Sequence, residues 1–133
     1  MAVGDGADAI IFEPASGRIF TFNGRAKTAT AIDAATGAVV GTMSLPGRPE
    51  APAVDGKGHL YDNIEDKSEI VEVDPKALAV VQTWPIAPGE HASGLAIDTV
   101  HRRLFAVCDN QKLAILDADT GKLRWFYNHA PGE

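Results

Sequence analysis

Three marks recur together along this chain every 41 to 43 residues, and they limit what it can fold into. Gly4, Gly47, Gly89 and Gly132 stand in equivalent loops. Glu13, Asp55 and Asp98 close one apolar run of each period, and Asp33, Asp74 and Asp117 close another. Each period holds four such runs, all too short for a helix of three turns. Four short strands in a unit of ~40–45 residues are the pattern of a repeating radial sheet. One such sheet cannot bury both of its faces, so the units must stack on one another. The expected fold class is therefore all-β: a β-propeller segment of three four-stranded antiparallel sheets, with blades at about 4–46, 47–88 and 89–131.

The runs alternate with turn chemistry. In the first period Ala9-Ile10-Ile11-Phe12 precedes Glu13-Pro14-Ala15-Ser16-Gly17, which has the residues of a tight turn. Arg18-Ile19-Phe20-Thr21-Phe22 then ends at Asn23-Gly24, the dipeptide of a two-residue hairpin. A third run from Thr28 to Ile32 meets Asp33-Ala34-Ala35-Thr36-Gly37, and a fourth from Ala38 to Met43 leads to Pro46-Gly47. The later periods repeat the plan, and Val, Ile, Thr and Phe dominate the runs throughout. A terminal Asp can accept hydrogen bonds from the backbone two residues on, while Gly37 and Gly121 suit a positive φ. Innermost strands start lean (Ala7 and Ala9, Ala51 and Ala53, Ser93 and Gly94), as strands crowding at an axis require. Ala130-Pro131-Gly132-Glu133 repeats Ala87-Pro88-Gly89-Glu90, so three whole blades and no spare strand are expected.

The turns Ile32-Asp33-Ala34-Ala35-Thr36-Gly37 and Leu116-Asp117-Ala118-Asp119-Thr120-Gly121-Lys122 resemble the Asp-x-x-Thr-Gly-Lys hairpin of YVTN-repeat propellers of the YncE-like group. Phe20-Thr21-Phe22-Asn23 stands where that family has Tyr-Val-Thr-Asn. The stretches from Asn63 to Ile70 and from Ser93 to Asp98 are also similar to family segments. The resemblance implies a ring that usually has seven blades, commonly in exported bacterial proteins, many without an assigned activity. This chain departs in encoding three.

Several function classes are disfavoured. A net charge of −6 without a basic cluster repels phosphate backbones and anionic membranes, so neither nucleic acid nor a membrane is an expected partner. No apolar run reaches the ~20 residues of a membrane helix. Met1-Ala2-Val3-Gly4-Asp5-Gly6 lacks the basic start and apolar core of a secretion signal, which leaves the compartment open. The single Cys108 excludes an internal disulfide and reads as a buried, inert thiol.

Asp117-x-x-Thr120-Gly121-Lys122-x-x-Trp125 resembles the tryptophan-docking repeat of quinoprotein dehydrogenases, but it occurs once, so Trp125 reads as inter-blade packing and no cofactor is expected. Asp117-x-Asp119-x-Gly121 lacks the Glu of a calcium loop, with Asn128 in its place, and His59, His91, His101 and His129 lack zinc spacing. No metal is expected. Neither a Gly-x-Ser-x-Gly elbow nor a phosphate loop is present, and no catalytic residue is assigned. The enzymatic alternative is a propeller lyase or hydrolase pairing His91 with Glu90 or Glu50.

Three blades leave the outer faces of the first and third bare. At ~500 Å² of apolar area each, these would forfeit at most roughly 25 kcal/mol at ~25 cal/mol/Å². The expectation is a non-enzymatic binding or scaffold module that closes as a homodimer of six blades, with Trp125, Phe126 and Tyr127 near the seam. A fragment of a larger ring, natural or designed, with no function of its own, is the remaining alternative. Loops converging at the ring mouth offer Asp8, Arg25, Arg48, Glu50, Glu65, Lys67, His91 and Asp109 to a small molecule or peptide.

Overall fold

The computed structural model describes the backbone of residues 2–128 and the side chains of residues 2–124. The chain forms twelve strands in three four-stranded antiparallel sheets, each built of consecutive neighbours. The first sheet holds β1 (Ala7–Glu13), β2 (Arg18–Asn23), β3 (Thr28–Asp33) and β4 (Val39–Ser44). The second holds β5 (Pro49–Val54), β6 (Leu60–Ile64), β7 (Glu69–Asp74) and β8 (Ala79–Pro85). The third holds β9 (Ala92–Asp98), β10 (Arg103–Cys108), β11 (Lys112–Asp117) and β12 (Leu123–Asn128). The first strand of each sheet lies innermost, with β5 packed between β1 and β9. This is the arrangement of successive propeller blades.

The marker acids work as turn caps. Glu13 accepts from the amides of Ala15 and Ser16, Asp55 from Lys57 and His59, and Asp98 from Val100 and His101. Asp33, Asp74 and Asp117 do the same for the turns before the fourth strands. Each cap satisfies two amides that would otherwise need water, which explains why an acid recurs at these points.

Strand alternation then decides which neighbour each residue meets. From the second strands, Phe20 and Phe22 face the second sheet, and Leu60 and Ile64 meet them from the other side. One residue out of phase, Tyr61 faces the third sheet, joining Ile70, Trp84 and Ile86 against Leu104, Ala106, Cys108, Ala114 and Leu116. Cys108 is buried at this seam, and burial pushes its thiol up.

Two sequence expectations change. Asn23-Gly24 does not make a two-residue hairpin. Asn23 pairs with Thr28 across a four-residue loop, and the left-handed residue is Lys27, as it is Ser68 and Gln111 in the other blades. Nor are the two end faces equally apolar. The first sheet's outer face shows Ile10 and Phe12, but beside them Asn23 donates to Thr28 and Thr30 and accepts from Thr21. Asn23 and Thr30 are fully buried, Asn23 beneath the loop at Gly4. The equivalent positions inside the molecule are Ile64 and Val71, then Cys108 and Ala114. The third sheet's outer face instead carries exposed Val107 with half-buried Phe105 and Leu113.

Candidate ligand site at the mouth of the arc

At one end of the axis the pairing of first and second strands slips by one residue in every sheet. Ala7 pairs with Asn23 but Ala9 with Phe22, leaving Asp8 as the extra residue. Pro49 pairs with Ile64 and Pro52 with Asp62; Ala92 pairs with Cys108 and Gly94 with Val107, leaving Ser93 extra. Such bulges re-aim a side chain and are common beside sites. Here they occur at the equivalent residues Asp8, Glu50 and Ser93, on the three innermost strands.

Around Glu50 the charges gather. Burial pushes its carboxyl up, Glu65 adds repulsion and shares a hydrogen bond with it, and Asp8 repels it further, while Arg48 pulls the other way. Arg48 and Asp8 both lie over Gly24. Glu65 opens a 3-10 turn, Glu65–Lys67, and donates its amide to the Arg48 carbonyl at 2.9 Å. Beneath them Asp62 is fully buried, with Oδ1 accepting the Glu50 amide at 3.1 Å and Oδ2 without a partner among the described residues. Burial raises its pKa well above the usual carboxylate range, and the charges of Glu50 and Asp8 add to that, outweighing the amide. Its neighbour Asn63, also buried, donates to the Gly94 carbonyl while Oδ1 has no partner among the described residues.

Of the residues expected at the mouth, Asp8, Arg48, Glu50 and Glu65 come together. Arg25 sits at the rim, paired with Asp5 at 3.4 Å in solvent. Lys67 is exposed beside Gly47. His91 and Asp109 lie along the third sheet, the His91 amide donating to Ser68 Oγ and the Asp109 amide to the Glu90 carbonyl. Among the described residues no hydrogen bond joins the His91 ring to Glu90 or Glu50. The side chains of Trp125, Phe126 and Tyr127 fall outside the described residues; the backbone register pairs Trp125 with Ile115 and Tyr127 with Leu113. Sequence reasoning missed Asp62 and Asn63. Their signal was a polar pair inside the otherwise apolar run Leu60-Tyr61-Asp62-Asn63-Ile64.

A second polar cluster, also missed, lies at the opposite end, across the seam between the second and third sheets. Asp55, with a fully buried carboxylate, receives His59 Nδ1 at 2.5 Å and the Arg102 guanidinium at 2.7 Å. Arg102 also grips Asp119 at 2.7 Å. Burial alone would push the Asp55 carboxyl up, yet the amides of Lys57 and His59, with the Arg102 and His59 side chains, hold it down at about 2. Tyr61 donates to the Ala118 carbonyl at 2.8 Å, and its pKa is raised, chiefly by burial. Among the described residues no cluster of three His, Cys, Asp or Glu is placed to hold a metal.

No family model matches this chain, and no curated protein matches it. Solved structures do. Hydrazine synthase of Kuenenia stuttgartiensis superposes on 95% of the chain with a TM-score of 0.83 at 20% identity. The structure of U3-55K superposes on 98% with a TM-score of 0.84 at 10% identity. Both contain β-propellers, and at these identities the likeness shows the fold. The chain spans 37% and 42% of those two chains.

Proposed function

We propose that this chain is a non-enzymatic β-propeller binding module of the YVTN-repeat, YncE-like kind, which completes its ring by packing against a second copy. The outer face of the third sheet carries the reading. Phe105 and Leu113 occupy the positions of Tyr61 and Ile70, which are fully buried against the next blade, and of Phe20 and Ala29 one blade earlier. An apolar surface that repeats the composition of two internal seams fits the same occupant, the leading face of a blade. A second copy offers that face in its first sheet. Its exposed Ile10 and Phe12 correspond to Leu95 and Ile97, which pack with Tyr61 and Ile70. The Asn23 side chain beside them already donates to Thr28 and Thr30 and accepts from Thr21, so covering it strands none of its own polar atoms.

Two chains would give six blades, a size at which such rings close. The propeller neighbours include an enzyme, and the enzymatic alternative for this chain pairs His91 with Glu90 or Glu50; alanine at His91 with an activity screen separates the two readings. Light scattering at micromolar concentration is expected to give twice the chain mass, reduced to one chain by Val107→Arg. A monodisperse single chain for the unaltered protein would overturn the assembly, as would a dimer indifferent to that substitution.

A further inference from the structure

The acids at the mouth are held close together, and the deepest of them has an oxygen with nothing to bond. Asp62 carries a fully buried carboxyl whose Oδ2 is unpartnered, and its charge environment is set by Glu50 and Asp8 directly above. Three inner-strand bulges place side chains at this level, and two of the three are acids. One cation of the protein's own, Arg48, already lies among them over Gly24. A metal ion is a poor match, because no three acids of the described residues converge tightly enough to coordinate one. A nitrogen cation has no such demand: an ammonium donates three hydrogen bonds to dispersed acceptors.

We propose that the mouth end of the first two sheets binds an organic ammonium, a diamine or a lysine-like side chain, held by Asp8, Glu50 and Glu65 above Asp62. This rests on reading that end of the arc as its binding end. Burial and its hydrogen-bonded neighbour Glu65 raise the Glu50 carboxyl, and an arriving ammonium favours its charged form, opposing that shift. Binding therefore tightens as pH rises through the range in which Glu50 ionises, and proton release is confined to that range. The site lies wholly within one chain and does not need a closed ring.

Calorimetry with putrescine tests it, run in two buffers of different ionisation enthalpy. Saturable binding is expected, with proton release at the mildly acidic pH where Glu50 ionises. It should be about tenfold weaker in Glu50→Gln and unchanged in Asp98→Asn, which removes an acid at the opposite end of the third sheet. Asp62→Asn is a second variant, and it is expected to weaken binding while keeping the thermal transition cooperative. No saturable heat from putrescine would overturn the proposal. So would equal affinity in the wild-type, Glu50→Gln and Asp62→Asn proteins, or calcium alone competing putrescine off the site. Failure here with a dimer still seen by light scattering removes the ligand and leaves the assembly. Binding by a protein that stays a single chain does the reverse.

Discussion

The two internal seams use the same repeat positions and solve the same problem with different chemistry. Each blade's acid-capped turn presents a carbonyl to the preceding blade, from Pro75 at the first seam and Ala118 at the second. At the second, Tyr61 reaches across and donates its hydroxyl. At the first, Phe20 stands in the tyrosine's place and has no hydroxyl, and Arg18 donates to the Pro75 carbonyl at 2.9 Å instead. The second seam adds the Asp55–Arg102–Asp119 clamp. The first cannot, because the position of Arg102 is Gly58 there. Arg102 sits at φ 56, where the other two blades have Gly17 and Gly58 in the left-handed region. A side chain in that region costs about 1 kcal/mol or more, and the clamp holds it there. A repeat thus conserves the need of a seam while leaving free the residue that meets it.

The sharpest way to break the comparison is at Gly121, whose φ is 74 and whose Cβ, if it had one, would overlap the Trp84 ring of the second sheet. Gly17 has φ 69 and nothing within 4 Å of that position. Gly121→Val is expected to cost roughly 3–5 kcal/mol, strain and overpacking together, against about 1–2 kcal/mol of strain alone for Gly17→Val. Chemical denaturation of both variants checks this. Equal losses would mean that Trp84 does not brace the second seam.

Acid separates the seams next. Asp55 falls from 3.8 to about 2 in the fold, so its stabilisation is present above pH ~4 and is lost as pH falls toward 2. That is worth about 2 kcal/mol for this buried carboxylate. Asp62 and Glu50 are shifted upward and act in the opposite sense, gaining stability as pH falls from neutral toward 4. Thermal melting is expected to rise slightly on mild acidification and then drop steeply. Asp55→Asn should melt lower at neutral pH and lose less below pH ~4. A parallel curve for that variant would place the acid-sensitive groups elsewhere, in turn caps such as Asp74 and Asp117.

The fold was readable because its punctuation is local. An acid two residues before the amides it caps, and a glycine at positive φ, are both visible within five residues of sequence. Arg102 and Asp55 lie 47 residues apart, and an arginine at a glycine position of the repeat gives no sign of what it reaches. The four-residue loop after Asn23 was misread for a related reason. Strand pairing sets its length, and Lys27, Ser68 and Gln111 accept a left-handed backbone that their side chains do not announce. At the mouth, loop position alone singled out Asp8, Arg48, Glu50 and Glu65. Asp62 stayed hidden because an acid inside a strand reads as solvent-facing until the preceding blade is laid over it.

The smallest predicted effect is the most specific. Tyr61→Phe gives the second seam the aromatic of the first but not its arginine. The counterpart of Arg18 in the second blade is His59, already bound to Asp55. Arg102, which donates to the Tyr61 hydroxyl at 3.4 Å, is held by Asp55 and Asp119. The Ala118 carbonyl then faces a buried ring, at a cost of about 1–2 kcal/mol. The mirror change, Phe20→Tyr, brings a hydroxyl to a carbonyl that Arg18 already serves, and is expected to be close to neutral. Urea denaturation of the two variants reads the difference. If Tyr61→Phe were also neutral, the hydroxyl would be ornamental, and the Arg102 clamp with the apolar contacts would account for the second seam.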